Sequence, residues 1–361
     1  MVVLQLGPYP PPHGGVETNL VAVRRHVQHR FGDAAAPVIN LTRHRHERSE
    51  GVHYPSSPVQ VIKLLLTIPA DVIHLHIGGN LSRRLLALCL VCSLIPGRRT
   101  VLTFHSGGYP GWQKGRRPGP RSQRGLILQR LDAVIAVNAE IAALFRELGV
   151  DPARVHTICP YAPVTVREDV EMPEALARFI RSHARLLTTV GQLEPEYDLP
   201  LQIRALGGVR EAFPDAGLVI IGSGRLDAEL RRLIAEQPHA DHVLLCGDVP
   251  HALTVRLLAG SAAFLRTTLY DGDSISVREA LQLGVPVIAS DNGMRPDGVR
   301  LIPASNGPAL REAITAVLGE PVARTAIAAA GQHELDAVLE LYASLTRSGA
   351  GVHRPGMTPI S

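Results

Sequence analysis

One pattern constrains this chain more than any other: an alternation that runs, lapses once near the middle, and starts again. Short apolar runs alternate with longer segments of helical periodicity. Runs too short for helices, separated by helix-length segments, read as buried parallel strands joined by crossover helices. VVLQLG opens the chain, followed by PYPPPHGG and the helical ETNLVAVRRHVQHR; APVINL, DVIHLHI, RTVLTFH, DAVIAV and RVHTICPY read as further strands. From about Ala162 to His183 strand character lapses, and the segment with the acidic PVTVREDVEMPE reads as a linker plus one short helix. RLLTTVG then restarts the alternation, LPLQIRALGGVREAF reads as a helix, and GLVIIGSG, HVLLCG, AAFLR, PVIAS and GVRLIP supply more strands. Helices in this half stop at glycines such as Gly284, as helices commonly do.

The expected fold class is therefore α/β, with two Rossmann-like domains facing across a cleft. The expected divisions are a first domain over 1–160, a linker over 161–184, a second domain over 185–320, a helix over 321–347 returning to the first domain, and a disordered tail over 348–361. Ligands of such sheets bind at the carboxyl ends of the strands, where the crossovers diverge.

Composition narrows the function. Hydrophobic residues make up 45% of the 361 and charged residues 19%, which excludes wholesale disorder. The formal net charge is only +4, and the sole lysines are Lys63 and Lys114. No arginine stripe is interleaved with aromatics, so a nucleic-acid partner is not expected. Cys89 and Cys92 form C-x-x-C inside the apolar LLALCLVCSLI, with no second ligand pair nearby, and read as buried structural residues. Cys159 and Cys246 are isolated. The cysteine usage fits a reducing cytoplasm. The chain begins on a strand, with no basic segment and cleavage site of a signal peptide. The apolar stretch around Leu85–Ile95 is shorter than the ~20 residues of a spanning helix.

The stretch richest in chemistry is LYDGDSISVREALQLGVPVIAS, Leu269–Ser290. It reads as strand end, acidic loop, helix, glycine stop and strand, with Asp271 in the loop and Glu279 on the helix. The backbone amides of Asp273, Ser274 and Ile275 fall at the helix N-terminus, where unpaired N–H groups and partial positive charge suit a phosphate. Carboxylates beside it can accept from sugar hydroxyls. Ser276-x-x-Glu279 also fits a capping box, with Asp273 or Ser274 as alternative caps.

Two acids separated by seven residues and followed by A-L-x-x-G-x-P-V-I-A-S resemble the signature of the retaining glycosyltransferases of family four, which have the GT-B fold. The resemblance implies that Glu279 holds the ribose hydroxyls of a nucleotide and that Asp271 reaches hydroxyls of the donor sugar; the family usually has Glu at both places. It covers about residues 1–345. Pro10–Val16, with Gly14 and Gly15, resembles the loop that approaches the donor diphosphate. Thr103-Phe104-His105 resembles the strand end whose histidine faces the donor. Gly222-Ser223-Gly224 resembles the G-x-G loop below the nucleotide, Cys246–Val249 the turn near the base, and Glu340-Leu341-Tyr342 part of the helix that crosses back.

The implied activity is transfer of a sugar from a nucleotide-diphosphate donor, with retention and without a metal or other cofactor, to a glycan, lipid-linked or small-molecule acceptor. Polysaccharide biosynthesis is the implied setting. The first domain would bind the acceptor and the second the nucleotide sugar. One departure stands out. Val190-Gly191-Gln192-Leu193-Glu194-Pro195-Glu196-Tyr197 carries Gln192 and Tyr197 where the family has the Arg and Lys that clamp the diphosphate. Arg266, just before the acid loop, and Arg225, just after Gly224, are the candidates to replace that charge; for Arg266 the alternative is pairing with Asp271 or Asp273. The departure also fits a non-catalytic GT-B protein acting as a binding or scaffold partner. A sugar-nucleotide epimerase is disfavoured by the acid signature. The basic stretches Arg43–Arg48 and Lys114–Arg124 read either as solvated loops or as peripheral contacts with the inner face of a membrane.

Overall fold

The computed structural model describes residues 1–10, 14–42, 48–107, 119–159, 161–320 and 331–350. Residues 43–47 and 114–118 of the basic stretches, and the expected tail from 351 onward, lie outside these residues. The chain divides into two compact units, Met1–Ala162 with Ala330–Ser361, and Pro163–Ala329.

The first unit is built on a parallel sheet of seven strands: β1 (Val3–Gly7), β2 (Val38–Asn40), β3 (Val52–His53), β4 (Val72–Ile77), β5 (Arg99–Phe104), β6 (Ala133–Ala136) and β7 (Val155–Thr157), in the order β3-β2-β1-β4-β5-β6-β7. All but β3 fall on apolar runs of the sequence. A pair of residues carries no periodicity, and β3 exists because Val52 and His53 pair with Val38 and Ile39.

Among the described residues the helices of this unit are α1 (Gly15–Phe31), α2 (Pro58–Thr67), α3 (Arg83–Ser93), α4 (Gln123–Leu128), α5 (Ala139–Glu147) and, from the far end of the chain, Gly331–Ala350. Alternate strand residues face opposite sides. Val3, Val72, Val101 and Ile135 meet Val23 and Val27 of α1 and Val338 and Tyr342 of the C-terminal helix. Leu4, Ile73, Leu102 and Val134 meet Leu65, Leu86, Cys89 and Phe145 on the other side. Both faces are thus covered, which is why the strands read as mainly apolar runs, with a few buried polar residues such as His74 and His76 among them. Cys89 and Cys92 point into this core, where burial pushes both thiols up to about 12.

The second unit opens with α6 (Glu174–Ser182), the one helix within the expected linker, and continues as β8 (Arg185–Val190), α7 (Leu199–Ala212), β9 (Ala216–Ile221), α8 (Asp227–Ala235), β10 (Val243–Gly247), α9 (His251–Ala259), β11 (Ala263–Arg266), α10 (Ile275–Gln282), β12 (Val287–Ser290), β13 (Val299–Ile302) and α11 (Gly307–Gly319). The C-terminal helix is α12, and it runs to Ala350, past the expected end at 347. The six strands are parallel in the order β10-β9-β8-β11-β12-β13. Strand order therefore reverses between β1 and β4 in one unit and between β8 and β11 in the other. At each reversal the following loops diverge and leave room at the carboxyl ends of the strands.

Candidate active site

The reversal in the second unit brings together residues far apart in sequence. β8 and β11 are neighbours, with Phe264 opposite Thr188. Arg266 ends β11, and its Nη1 donates to the Val190 carbonyl at the end of β8, 2.7 Å away. The rest of the guanidinium goes to Asp271, with Nε and Nη2 at 2.9 and 2.8 Å from Oδ2. Its plane lies over the Tyr197 ring, 4.8 Å from the centroid. Of the two readings for Arg266, the structure has the pairing with Asp271.

A second arginine, which the sequence did not flag, completes the cluster. Arg295 Nη1 donates to the same Asp271 oxygen at 3.1 Å, Nη2 to Thr268 Oγ1 at 2.6 Å, and Nε to the Ser290 carbonyl at 3.0 Å. The Arg266, Asp271 and Arg295 side chains are only 7%, 15% and 3% exposed. Burial pushes the Asp271 carboxyl upward, but Arg266 and Arg295 outweigh it and hold the group below its ordinary range. Two guanidiniums around one carboxylate leave one net positive charge at the end of the sheet.

The loop after β8 is less hostile to an anion than its acidic sequence suggests. Glu194 accepts from Arg225 Nε at 2.5 Å, and Asp198 from Ser305 Oγ at 2.8 Å. Tyr197 packs against Gly191, where an added Cβ would lie 2.1 Å from the ring. Gln192 is exposed.

Gly222 and Gly224 turn out to serve this loop. Gly222 has φ +132°, and a Cβ there would lie 1.9 Å from the Gly191 carbonyl oxygen; one at Gly224 would lie 2.7 Å from the Leu193 backbone. Leu193 N donates to the Ser223 carbonyl and Leu226 N to that of Leu193. The missing side chains are needed first for the backbones after β8 and β9 to close on each other.

On α10 the capping box is not formed. Ser274 is the N-cap and makes no side-chain cap bond. Asp273 turns instead to Arg278 Nε, at 2.7 Å from Oδ1 and 2.8 Å from Oδ2. The side chain of Glu279, one turn into the helix, is 4% exposed, and its Oε1 accepts from His251 Nε2 at 2.6 Å. His251 was also not flagged by the sequence, although it stands just after the Cys246–Val249 turn.

In the first unit, Gly14 is the N-cap of α1 and Gly15 its first residue. Gly14 has φ −151°, so no left-handed backbone is used there, and the space where a Cβ of Gly15 would stand is open. A Cβ at Gly14 would lie 2.6 Å from a Glu17 carboxylate oxygen, so this glycine makes room for that side chain. His105 follows β5, its N–H bonded to the Ile77 carbonyl. Its Nε2 is buried without a hydrogen-bond partner among the described residues, and burial lowers the imidazole to about 3. Behind it on β4 stand His76, its ring centroid 6.1 Å away, and then His74, 4.0 Å from His76. His74 meets Thr103 Oγ1 at 2.7 Å and the hydroxyl of Tyr342 on α12 at 2.5 Å. Burial, reinforced by the neighbouring imidazoles, holds both well below the usual histidine range.

Comparison with known proteins bears on the family and the fold. Residues 14–161 match the family described as Glycosyltransferase Family 4, and residues 177–333 match Glycosyl transferases group 1. The chain is 26% identical over 265 residues to a GDP-mannose-dependent monoacylated alpha-(1-6)-phosphatidylinositol monomannoside mannosyltransferase of Corynebacterium glutamicum, covering 67% of this chain and 66% of that relative. It is 27% identical over 330 residues to a GDP-mannose-dependent alpha-(1-6)-phosphatidylinositol monomannoside mannosyltransferase of Mycobacterium tuberculosis, covering 83% and 82%. The fold resembles that of Anabaena HepE in complex with UDP and glucose, with a TM-score of 0.67 at 15% identity over 98% of this chain and 100% of that one. It also resembles the catalytic domain of Starch Synthase IV from Arabidopsis thaliana bound to ADP and acarbose, with a TM-score of 0.68 at 14% identity over 96% and 99%. With both of its sheets accounted for in this way, the chain belongs to the group 1 glycosyltransferases and has their GT-B architecture of two Rossmann-like domains.

Proposed function

We propose that the protein transfers mannose from GDP-mannose to a lipid-linked polyol acceptor, with retention of configuration. The observation that carries the donor half is the Arg266–Asp271–Arg295 cluster at the strand reversal of the second unit. A glycosyl diphosphate leaves as an anion, and cations fixed in place before the reaction stabilise it without reorganising. Gln192 and Tyr197 cannot supply that charge. The net positive charge of the cluster replaces it through the field, because the Arg266 and Arg295 donors are already engaged within the protein. Arg225 is paired with Glu194 and cancels the charge of that carboxylate in the adjoining loop.

In the reaction the anomeric C–O bond breaks toward the diphosphate, and an acceptor hydroxyl attacks from the same face. Its proton passes to the departing phosphate oxygen, so no side chain is required as base. Asp271 and Glu279 orient the sugar and the ribose. The amides of Asp273, Ser274 and Ile275 meet the phosphates.

The acceptor half rests on the names of the relatives and on one surface. Helix α2 exposes Val59, Ile62 and Leu66, at 75%, 43% and 63%, in the spacing of a single helix face, with Lys63 beside them. An apolar face with a flanking cation suits the interfacial region of an anionic bilayer. The basic stretch ending in Arg121 and Arg124 would add to the attraction. No helix among the described residues is long and apolar enough to cross a membrane.

The test is transfer from GDP-, UDP- and ADP-sugars to phosphatidylinositol mannosides in vesicles. Transfer from GDP-mannose is expected, and Glu279→Ala should lower it about a hundredfold or more with melting little changed. Near-normal transfer by Glu279→Ala would make that residue structural. Absence of turnover and of donor binding in the unaltered protein would leave the scaffold reading in its place.

A further inference from the structure

The His251–Glu279 contact carries an inference of its own. Glu279 is nearly buried on α10, and the neighbouring cation Arg278 is committed to Asp273. Its donor comes from another helix. His251 is the first residue of α9, immediately after the turn that follows β10, and its side chain is 41% exposed. That turn is tied down: Gly222 N donates to the Gly247 carbonyl at 2.9 Å, and Ser223 Oγ to Asp248 at 2.6 Å. The two helices are held as a pair by Leu258 of α9 packed with Val277, Ala280 and Leu281 of α10.

We infer that His251 is a positioning residue that fixes the Glu279 carboxylate for a vicinal diol. A glutamate side chain has three rotatable bonds, and a carboxylate free to rotate would lose conformational entropy on binding. Charge-assisted donation from an imidazole on a packed neighbouring helix holds Oε1 and sets the plane in which the carboxylate receives two hydroxyls. The segment that reaches the nucleotide from β10 thereby also sets the carboxylate for its ribose. This rests on the reading of Glu279 as the ribose ligand, and the experiment separates the two.

Binding of GDP and of 2′,3′-dideoxy-GDP to the full chain is measured by titration calorimetry, for His251→Ala, His251→Gln, Glu279→Ala and the double alanine variant, with melting followed in parallel. His251→Ala should weaken GDP about tenfold, in line with a hydrogen bond to a charged group, and leave the dideoxy nucleotide unchanged. His251→Gln, which keeps an N–H donor, should recover most of the loss, and the double variant should match Glu279→Ala. Equal weakening of both nucleotides by His251→Ala would mark a general disturbance of the fold and overturn the inference. So would GDP binding unaffected by His251→Ala while Glu279→Ala loses it. If His251→Ala does not fold, His251→Gln decides by the same comparison of nucleotides. GDP binding unaffected by Glu279→Ala would overturn the ribose reading itself, and the positioning role with it.

Discussion

The two sheets bury polar groups at their strand reversals in opposite ways. In the first unit, His74, His76 and His105 form a column that is kept neutral, with His74 and His105 lowered to about 3. In the second, Arg266, Asp271 and Arg295 keep their charges and pair them. An imidazole can shed its proton at little cost near neutral pH, so burial alone neutralises it. A guanidinium cannot, so it stays charged when buried and needs compensation, here from a carboxylate. The histidine end therefore offers hydrogen-bonding atoms without charge, and the arginine end offers charge with its hydrogen bonds already used.

Acid should separate the two ends most strongly. The buried imidazoles have folded pKa values below the ordinary 6.5, so below that pH the unfolded chain takes up protons that the native unit refuses. Stability present above 6.5 is lost as pH falls, by about 1.4 kcal/mol per pH unit for each imidazole. Asp271 is also held below its ordinary 3.8, so its contribution is lost only in more acid solution. Amide exchange from pH 7 to 4 should show the first unit opening before the second. Simultaneous opening, or loss starting in the second unit, would break the contrast.

Next in size is Asp271→Asn. It leaves two buried guanidiniums facing each other without their shared carboxylate, which should cost about 3–5 kcal/mol. Denaturant unfolding at pH 7 measures it, with the change confined to the second unit. A cost under about 1 kcal/mol would mean that the arginines can turn to solvent, and the cluster would lose its standing as a fixed charge.

The smallest expected effect is that of Tyr342→Phe. The substitution keeps the buried ring and removes the hydroxyl that meets His74. It leaves one buried imidazole nitrogen without its partner, at about 1–2 kcal/mol. Exchange in α12 should rise with little change in the second unit. No change in α12 would show that apolar packing of Leu335, Val338 and Tyr342 alone holds that helix.

The parallel α/β character, the break near 162–183 and the strands other than β3 were legible in the sequence, because strands buried on both faces must be mainly apolar along their whole length. The acid signature was legible because a local loop-and-helix segment carries it. The partners of those acids were not. Arg295 lies 24 residues from Asp271, and His251 lies 28 from Glu279, in segments with no periodic signal. The packing demand on Gly222 and Gly224 was hidden for the same cause: the sequence shows two glycines after a strand, and only the neighbouring loop shows whose backbone needs the space. Composition and periodicity are local properties, and they decide which segments become strands and helices. Which charges meet at the strand ends depends on the order in which the strands assemble, and that order is decided by packing across the whole sheet.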